Sequence, residues 1–287
     1  MVPMRAAALT LLAMLAFAGN SIICRLALKQ QAIDPASFTA VRLASGALVL
    51  AVIIVAHRAR SDRNAGGWFS ALALFLYAAF FSFAYLSLDA ASGALILFGF
   101  VQVTMIGAAL MAGDRPGGFE WSGWLLAAAG LTLLLLPGAQ APAPSGAALM
   151  ALAGVAWGVY SIRGRQEAEP LLATSRNFTR SLLFVAGLAL LSLAAGGTAH
   201  WSATGLLLAM LSGALTSGLG YVIWYAALNH LSSMQAALVQ LSVPAIAAAG
   251  GVLLLAEPLS PRLVACGMMI IGGICVALVR KSRRLPA

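Results

Sequence analysis

Long apolar runs separated by short polar links dominate the pattern of this chain of 287 residues. A helix needs about 20 apolar residues to cross a bilayer. Ten runs meet that length, and most of the links between them contain Gly, Pro, Asp or Asn. We predict the spans at 6–28, 36–56, 68–88, 91–111, 120–137, 145–163, 177–196, 203–228, 232–255 and 260–279. The pattern therefore predicts an all-α, polytopic membrane protein without a separate soluble domain.

The eighth and ninth runs carry the most informative arrangement of side chains. Only residues 229–231 separate them, and so short a link makes the two helices antiparallel neighbours. Tyr221, Trp224, Tyr225 and Leu228 recur at the spacing of one helix face. An aromatic face between lipid-length helices is typical of a binding cavity inside a membrane, and also of ordinary helix packing.

Composition supports the membrane assignment. The chain is 62% hydrophobic and 9% charged, with a mean hydropathy of +0.96, whereas soluble domains are about 25% charged. The net charge of +9 does not indicate nucleic-acid binding, because the basic residues lie between apolar runs and form no single patch. Cys24, Cys266 and Cys275 lie in apolar runs, which favours packing over a disulfide or metal site. We expect no cofactor.

Charges in the links predict the orientation. On one side lie twelve cations, namely Arg5, Arg58, Arg60, Arg63, Arg115, Arg163, Arg165, Arg176, Arg280, Lys281, Arg283 and Arg284. The other side has Lys29 alone. Cytoplasmic loops carry the excess of Lys and Arg, so we expect both termini in the cytoplasm. The first run extends to Ile23, too long for a cleaved signal peptide, and we interpret it as the first span.

The chain also repeats internally. Arg25 and Arg42 are spaced like Arg163 and Arg180, with an offset of 138 residues between the pairs. Residues 85–88 (YLSL) are echoed by residues 225–228 (YAAL) at an offset of 140. The first five spans (1–140) therefore correspond to the last five (141–287). Because five is odd, the two repeats have opposite membrane orientation, as in secondary transporters that bind substrate between the repeats.

With these features the chain resembles the drug/metabolite transporter superfamily, and within it the EamA-type carriers of ten spans. The resemblance depends on Tyr225, Ala226, Leu228, Ala236, Leu241, Pro244, Leu255, Glu257, Gly267, Ile271 and Gly273. The segment 156–160 (AWGVY) is most similar to the YddG-type exporters of aromatic amino acids. Phe17 stands where the family often has Trp, and Phe98 or Phe100 where it has an aromatic residue in span four. The resemblance implies a monomeric exporter in the inner (cytoplasmic) membrane.

Candidate substrate-binding residues are aromatic or carry amides. Flat amphipathic rings can cage a small solute while Tyr hydroxyl and Trp N–H groups bind its polar part; packing or interfacial anchoring is the alternative. Amides within apolar runs must face protein or a wet cavity, and an interhelical hydrogen bond is their alternative role. Gln235 and Gln240 are five residues apart, so at most one lines the cavity. The set is Trp157, Tyr160, Tyr221, Tyr225, Phe81, Tyr85, Phe98, Gln102, Gln235 and Asn20.

Four further residues are candidates for structural or gating roles. Pro244 removes a backbone donor and frees the carbonyl group of Gln240 for a substrate ammonium group or a simple kink. Arg42 and Arg180, like Arg262, either extend to the membrane interface or attract a substrate carboxylate. Glu257 precedes a proline, where helix-start electrostatics can explain a carboxylate.

The acids all lie in links or at span ends, so no buried carboxylate relays protons, and we expect facilitated transport or exchange. A cavity of rings and amides suits neutral amino acids, apolar or aromatic; phosphates would require Lys or Arg near the midplane. Efflux of drugs or other small metabolites is the alternative. An intramembrane enzyme is a weaker interpretation, since His57, His200 and His230 lie far apart in links. The sequence has no Gly-rich phosphate-binding loop with Lys, which excludes an ATP-driven pump within this chain.

Overall fold

The structure, a computed structural model, describes residues 4–56, 65–113, 115, 117–138, 141–231 and 233–282. Arg58, Arg60, Arg63, Arg283 and Arg284, which contribute to the predicted orientation, lie outside this part of the chain. The helices are α1 (Met4–Lys29), α2 (Pro35–Ala56), α3 (Trp68–Ala84), α4 (Ala90–Met111), α5 (Gly118–Leu135), α6 (Pro144–Gly164), α7 (Pro170–Ala194), α8 (Ala203–Leu228), α9 in two parts (Ser233–Gln240 and Ser242–Leu255) and α10 (Pro261–Ser282). In the described ranges nine are long and apolar enough to span a membrane, and α3 is a shorter apolar helix. The prediction of an all-α, multi-pass membrane protein is confirmed.

Two helix boundaries differ from the predicted ones by four residues or more. Helix α7 begins at Pro170 rather than at 177, because proline is favoured in the first turn; Arg176 therefore lies within a helix and not in a link. The polar residues that follow this turn (174–177, TSRN) hid the start of the helix from a search for apolar runs. Helix α3 ends at Ala84 rather than at 88. Asp89 then starts α4, where its carboxylate accepts a hydrogen bond from the Ser92 backbone N–H.

Two helices are irregular near the centre of the bundle. Residues Ser212–Leu219 of α8 form a π-helical segment, a wider turn that is frequent at functional sites. Helix α9 is interrupted at Leu241, between Gln240 and Ser242. The interruption lies where Pro244 has no backbone N–H to donate to the carbonyl of Gln240. The predicted effect of Pro244 thus appears as a break in the helix.

The first five helices interleave with the last five. In the main contacts across this boundary, α1 packs against α8 and α9, α2 against α7 and α8, α3 against α6 and α7, α4 against α6 and α9, and α5 against α10; a minor contact also joins α4 to α10. If the two groups of five are exchanged, each of the main pairs becomes either itself or another pair of the same list. The packing between the groups therefore follows a two-fold pattern.

Glycines allow two of these contacts to be unusually close. Gly213 of α8 faces the carbonyl oxygen of Arg42 in α2, and a side chain at Gly213 would collide with it. Gly123 of α5 and Gly273 of α10 face each other, so that a methyl group on either would lie 2.5 Å from the carbonyl oxygen of the other. Small residues that let backbones approach are typical of helix packing in membranes.

The links gather at two opposite ends of the bundle. At one end, the backbone N–H of Asp34 in the α1–α2 link donates to the carbonyl of His200 in the α7–α8 link, at 3.0 Å. At the other end, the Gly66 N–H in the α2–α3 link donates to the carboxylate of Glu167 in the α6–α7 link, at 3.3 Å. Because consecutive links lie at opposite ends, consecutive helices run in opposite directions through the bundle.

Candidate functional site

A cavity of ≈ 620 Å³ opens at the end of the bundle that holds the α6–α7 and α8–α9 links. Arg165 and Asn229 line its mouth, and Gln240 lines the wall formed by α9, next to the break in that helix. Deeper in, the walls are aromatic and are supplied by α6 and α8. Their residues are Trp157, Tyr160, Tyr221, Trp224 and Tyr225.

Two tyrosine hydroxyl groups on the wall share one threonine. The Tyr160 hydroxyl donates to Thr174 Oγ1 at 3.3 Å, and Thr174 Oγ1 lies 3.0 Å from the Tyr225 hydroxyl. Thr174 belongs to the first turns of α7, which were predicted to be a link. The longer α7 therefore holds two cavity tyrosines in place.

A pair of rings closes the inner end of the cavity. Trp157 and Tyr221 lie with ring centroids 5.3 Å apart, and both also line a second, smaller chamber behind them. Trp157 further contacts the rings of Tyr77 at 4.8 Å and Tyr160 at 5.5 Å. Phe17 packs edge-on against the Trp157 ring at 6.4 Å. The aromatic pair thus separates the open cavity from the inner chamber.

The inner chamber measures ≈ 20 Å³ and has a polar, hydrogen-bonded wall. The Asn20 amide donates to the Tyr77 hydroxyl at 3.3 Å, and its oxygen accepts from Ser212 at 2.7 Å and from Thr216 at 3.2 Å. Both hydroxyl residues belong to the π-helical segment of α8. Phe81 and Phe98 supply apolar parts of the same wall.

Arg42 lies in this chamber with 2% of its surface exposed. Its Nε donates to Ser217 Oγ at 3.2 Å, and its Nη2 donates to the Tyr77 hydroxyl at 3.1 Å. The guanidinium carbon also lies about 5 Å from the ring centres of Tyr77 and Phe81. Of the two roles that the sequence left open for Arg42, extension to the membrane interface is wrong, because α2 turns this residue towards α8 in the bundle interior. The expectation of a cavity without buried ions is wrong for the same reason.

An ion pair closes the opposite end of the bundle. Arg25 Nε lies 2.8 Å from Glu257 Oε1, and Arg25 Nη1 donates to the carbonyl of Tyr85 at 2.9 Å. Glu257 Oε2 also accepts from the Ala90 N–H, at the first turn of α4. Lys29 donates to the carbonyl of Leu255 at 3.0 Å. These contacts join α1, α3, α4 and α9 across the end that the cavity does not reach.

Most of the predicted substrate-binding residues line one of the two spaces. Trp157, Tyr160, Tyr221 and Tyr225 lie on the cavity wall, and Asn20, Phe81 and Phe98 on the chamber wall, which Trp157 and Tyr221 share.

Three predicted substrate-binding residues lie elsewhere. Tyr85 follows the end of α3 and is fully buried against Gly93 and Phe81. Gln102 lines an apolar groove between α4, α5 and α10. Gln235 is exposed, and Gln240 lines the cavity instead, because the two point in different directions.

The other candidates have structural roles. Arg180 lies off both walls, with its guanidinium carbon 5.8 Å from the centre of the Trp68 ring, and its Nη1 is buried without a hydrogen-bond partner among the described residues. Arg262 donates to the carbonyls of Leu133, Leu134 and Leu136 at the end of α5. Glu257 belongs to the closed end described above.

The sequence interpretation missed several contributors, among them Arg25, Ser217 and Arg165. Arg25 entered it only as part of a repeat, although a cation in an apolar run calls for a partner. Ser217 could have been suspected from the run of Ser, Thr and Gly in α8. Within the described chain, no group of three His, Cys, Asp or Glu side chains is placed to hold a metal ion.

Comparison with known proteins identifies the family. The model of the EamA-like transporter family matches residues 4–136 and again residues 144–279. An uncharacterized protein of Pseudomonas aeruginosa is 54% identical over 276 residues, which cover 96% of this chain and 95% of that protein. One solved crystal structure, described only as that of a protein, has the same fold with a TM-score of 0.69 and 22% identity, over 98% of this chain and 99% of the other. The chain belongs to the EamA-like transporter family of the drug/metabolite transporter superfamily, whose members are membrane transporters of small substrates.

Proposed function

We propose that this protein is a secondary transporter that exports amino acids, chiefly those with apolar or aromatic side chains, by alternating access. One observation carries the proposal. A cavity large enough for a small solute reaches an aromatic pair in the bundle centre from one end, while an ion-pair network closes the other end. This is the shape that a carrier has when its site faces a single side of the membrane.

The walls suit a flat or apolar solute with a polar head. Ligand cavities of about 300–1,000 Å³ are usual, and this one falls within that range. Its rings offer apolar faces, while the hydroxyls of Tyr160 and Tyr225 and the amide of Gln240 offer hydrogen bonds. An amino acid with an aromatic side chain meets both demands, which agrees with the resemblance to YddG-type exporters.

The two-fold pattern of helix contacts supports an inverted repeat of residues 1–140 and 141–287. Residues that recur at an offset of 138 to 140 support the same division. In such a repeat, the contacts that close one end have counterparts that can close the other end, and alternation between the two states moves the site across the membrane.

The open end is the cytoplasmic one in this proposal. It carries Arg163 and Arg165, and basic residues are in excess on the cytoplasmic side of the inner membrane. Both termini then lie in the cytoplasm, and the protein works as a monomer in the bilayer. In this proposal, the open cavity is the one that loads substrate from the cytoplasm.

We expect facilitated transport or exchange rather than proton coupling. Among the described residues, those that line the cavity and the chamber include no Asp or Glu. A proton-coupled carrier commonly uses a buried carboxylate as its relay. Accumulation that requires an imposed pH gradient would contradict this part of the proposal.

The experiment is a counterflow screen in reconstituted vesicles. Vesicles loaded with each of the twenty amino acids receive a trace of radiolabelled phenylalanine outside, and empty vesicles serve as the control. We expect apolar and aromatic amino acids to drive uptake of the label. If none does so while a cationic dye crosses, the protein is a drug-efflux carrier and the amino acid proposal is wrong.

A further inference from the structure

We propose that the guanidinium group of Arg42 is the anchor for a carboxylate, and that the transporter therefore takes apolar or aromatic monocarboxylates whether or not they carry an amino group. The inference rests on the proposed function of the cavity, since it names the chemistry of what that cavity accepts. It concerns a residue whose role neither the family nor any relative described above assigns.

The buried positive charge of Arg42 has no ion-pair partner among the described residues. Arg42 is 2% exposed, and none of the described acids forms an ion pair with it. A charge buried in a membrane protein is costly unless it is paired, and such residues are usually functional. The hydroxyl groups of Ser217 and Tyr77 solvate the guanidinium group but bring no negative charge. A bound anion would supply the missing counter-charge.

One nitrogen of the Arg42 guanidinium group is free to donate a hydrogen bond to a ligand. Nε and Nη2 are held by Ser217 and Tyr77, whereas Nη1 is buried and has no hydrogen-bond partner among the described residues. The two held nitrogens fix the plane of the group, so Nη1 presents its hydrogens in a defined direction. Arginine binds carboxylates well because its donors are rigidly arranged.

The inner chamber beside Arg42 is small and is separated from the cavity by two aromatic rings. A space of ≈ 20 Å³ holds about one water molecule, which is also close to the demand of a single carboxylate oxygen. Trp157 and Tyr221 separate this space from the cavity. A ligand whose ring displaces or slides between these two side chains would place one oxygen of its carboxylate in the chamber and leave its body in the cavity. The aromatic body and the acidic head would then meet different walls.

The described part of the site offers no negatively charged partner to the ammonium group of a bound amino acid. Among the described residues that line the cavity and the chamber there are Arg42 and Arg165 but no Asp or Glu. An ammonium group would find carbonyl and hydroxyl oxygens there and no opposite charge. A carboxylate is therefore the group that this site selects, and an amine without a carboxylate meets two cations of its own sign.

The test compares phenylalanine with 3-phenylpropionate, which lacks the amino group, and phenethylamine, which lacks the carboxylate. The melting temperature of the unmodified protein in lipid nanodiscs reports binding of each, because a ligand that binds the folded state stabilises it. We expect phenylalanine and 3-phenylpropionate to raise the melting temperature and phenethylamine to leave it unchanged. The same acid should compete in the counterflow assay.

Substitution then assigns the effect to Arg42. Arg42→Gln should weaken binding of both carboxylates by about tenfold or more, because the charged partner is lost from a buried site. Arg42→Lys keeps the charge without the fixed donors and should lie between. Arg180→Gln is the matched control, because Arg180 occupies the corresponding place in the second half of the chain and lies off both walls.

The outcomes separate this inference from the proposed function. Stabilisation by phenethylamine equal to that by 3-phenylpropionate would overturn the role of Arg42 while amino acid transport could still stand. The comparison of ligands on the unmodified protein decides this even if Arg42→Gln fails to fold. If none of the three compounds binds and no amino acid drives counterflow, both the inference and the proposed function fail.

Discussion

The two ends of the bundle use corresponding residues differently. At the closed end, Arg25 joins α1 to Glu257 and to the carbonyl of Tyr85. At the open end, Arg163, which follows Arg25 by 138 residues in the sequence, donates to Ser70 at 2.9 Å and lies over the Phe69 ring, and it is not among the described residues that line the cavity. Arg25 therefore ties helices together across the closed end, whereas Arg163 leaves the path into the cavity free.

The corresponding tyrosines differ in the same sense. Tyr85 is fully buried near the closed end, packed against Phe81 with ring centroids 4.8 Å apart. Tyr225, at an offset of 140, lines the open cavity and contacts Thr174 through its hydroxyl group. One tyrosine therefore belongs to a closed seam and the other to a binding wall, and four experiments can break or sharpen this contrast.

The largest effect is expected where the two regions meet. Trp157→Ala removes a ring that contacts four other rings between cavity and chamber. Aromatic pairs contribute about 0.5–1.5 kcal/mol each, so we expect amino acid flux in vesicles to fall about tenfold or more. Trp121→Ala, on the groove side of α5, is the control and should keep its flux. Equal flux in both variants would remove Trp157 from the substrate path.

The next experiment separates packing from binding at the paired tyrosines. Tyr85→Ala should destabilise the protein by about 3–5 kcal/mol, as truncation of a fully buried aromatic side chain does. Tyr225→Ala borders a cavity that already exists, so it should lower amino acid affinity with a smaller loss of stability. Thermal unfolding and counterflow measured on both variants test the contrast. The reverse order of stabilities would show that the wall carries more of the packing than the seam.

Loosening the ion pair should expose the closed end. Glu257→Gln removes the negative charge from Arg25, and a hydrogen bond to a charged group contributes about 1.5–3 kcal/mol, so the closed state should lose about tenfold in population. Buried Cys24 of α1, with Cys266 and Cys275 replaced by Ser, reports this as faster maleimide labelling. Glu120→Gln, at the start of α5, is the control. Unchanged labelling of Cys24 would show that Glu257 does not hold this end closed.

The smallest effect is expected at Asp34, which joins two links at the closed end. Burial alone would raise the pKa of Asp34, but hydrogen bonds from Ser37 and His200 lower it overall from the usual 3.8. The folded state then binds fewer protons than the unfolded state, so this contribution is complete above pH 3.8 and is lost as the pH falls through the lower folded value.

We expect a contribution of about 1 kcal/mol or less, because the carboxylate is partly exposed. Between pH 6 and pH 3, the melting temperature of the wild type should therefore fall slightly more than that of Asp34→Asn. An identical pH dependence in the two proteins would contradict this role for Asp34.

Much of the fold could be predicted because a bilayer imposes a length and an apolar composition on each helix. The link at 229–231 and the aromatic face of α8 follow directly from spacing. The start of α7 at Pro170 did not follow, because the polar residues Thr174, Ser175 and Asn177 interrupt the apolar run there and are buried inside the bundle. Hydropathy detects contact with lipid and overlooks such a turn.

The position of Arg42 shows a second limit. In sequence it resembles Arg180, its counterpart in the repeat, and both could have extended to an interface. In the structure Arg42 points inwards and donates to Ser217 of α8, where Gly213 lets α2 and α8 approach closely. Spacing within one helix does not determine which neighbour covers each of its faces. The same limit explains Gln102, which has the composition of a binding residue and lies on another groove.

The contact between Gly123 and Gly273 has a consequence for how the protein can move. Among the described residues, none from α5 or α10 lines the cavity or the chamber, yet these two helices pack more extensively against each other than any other pair does. In the proposed transport cycle, the other eight helices can therefore move while α5 and α10 remain packed against each other. The rearrangement then takes place at the contacts among those eight helices.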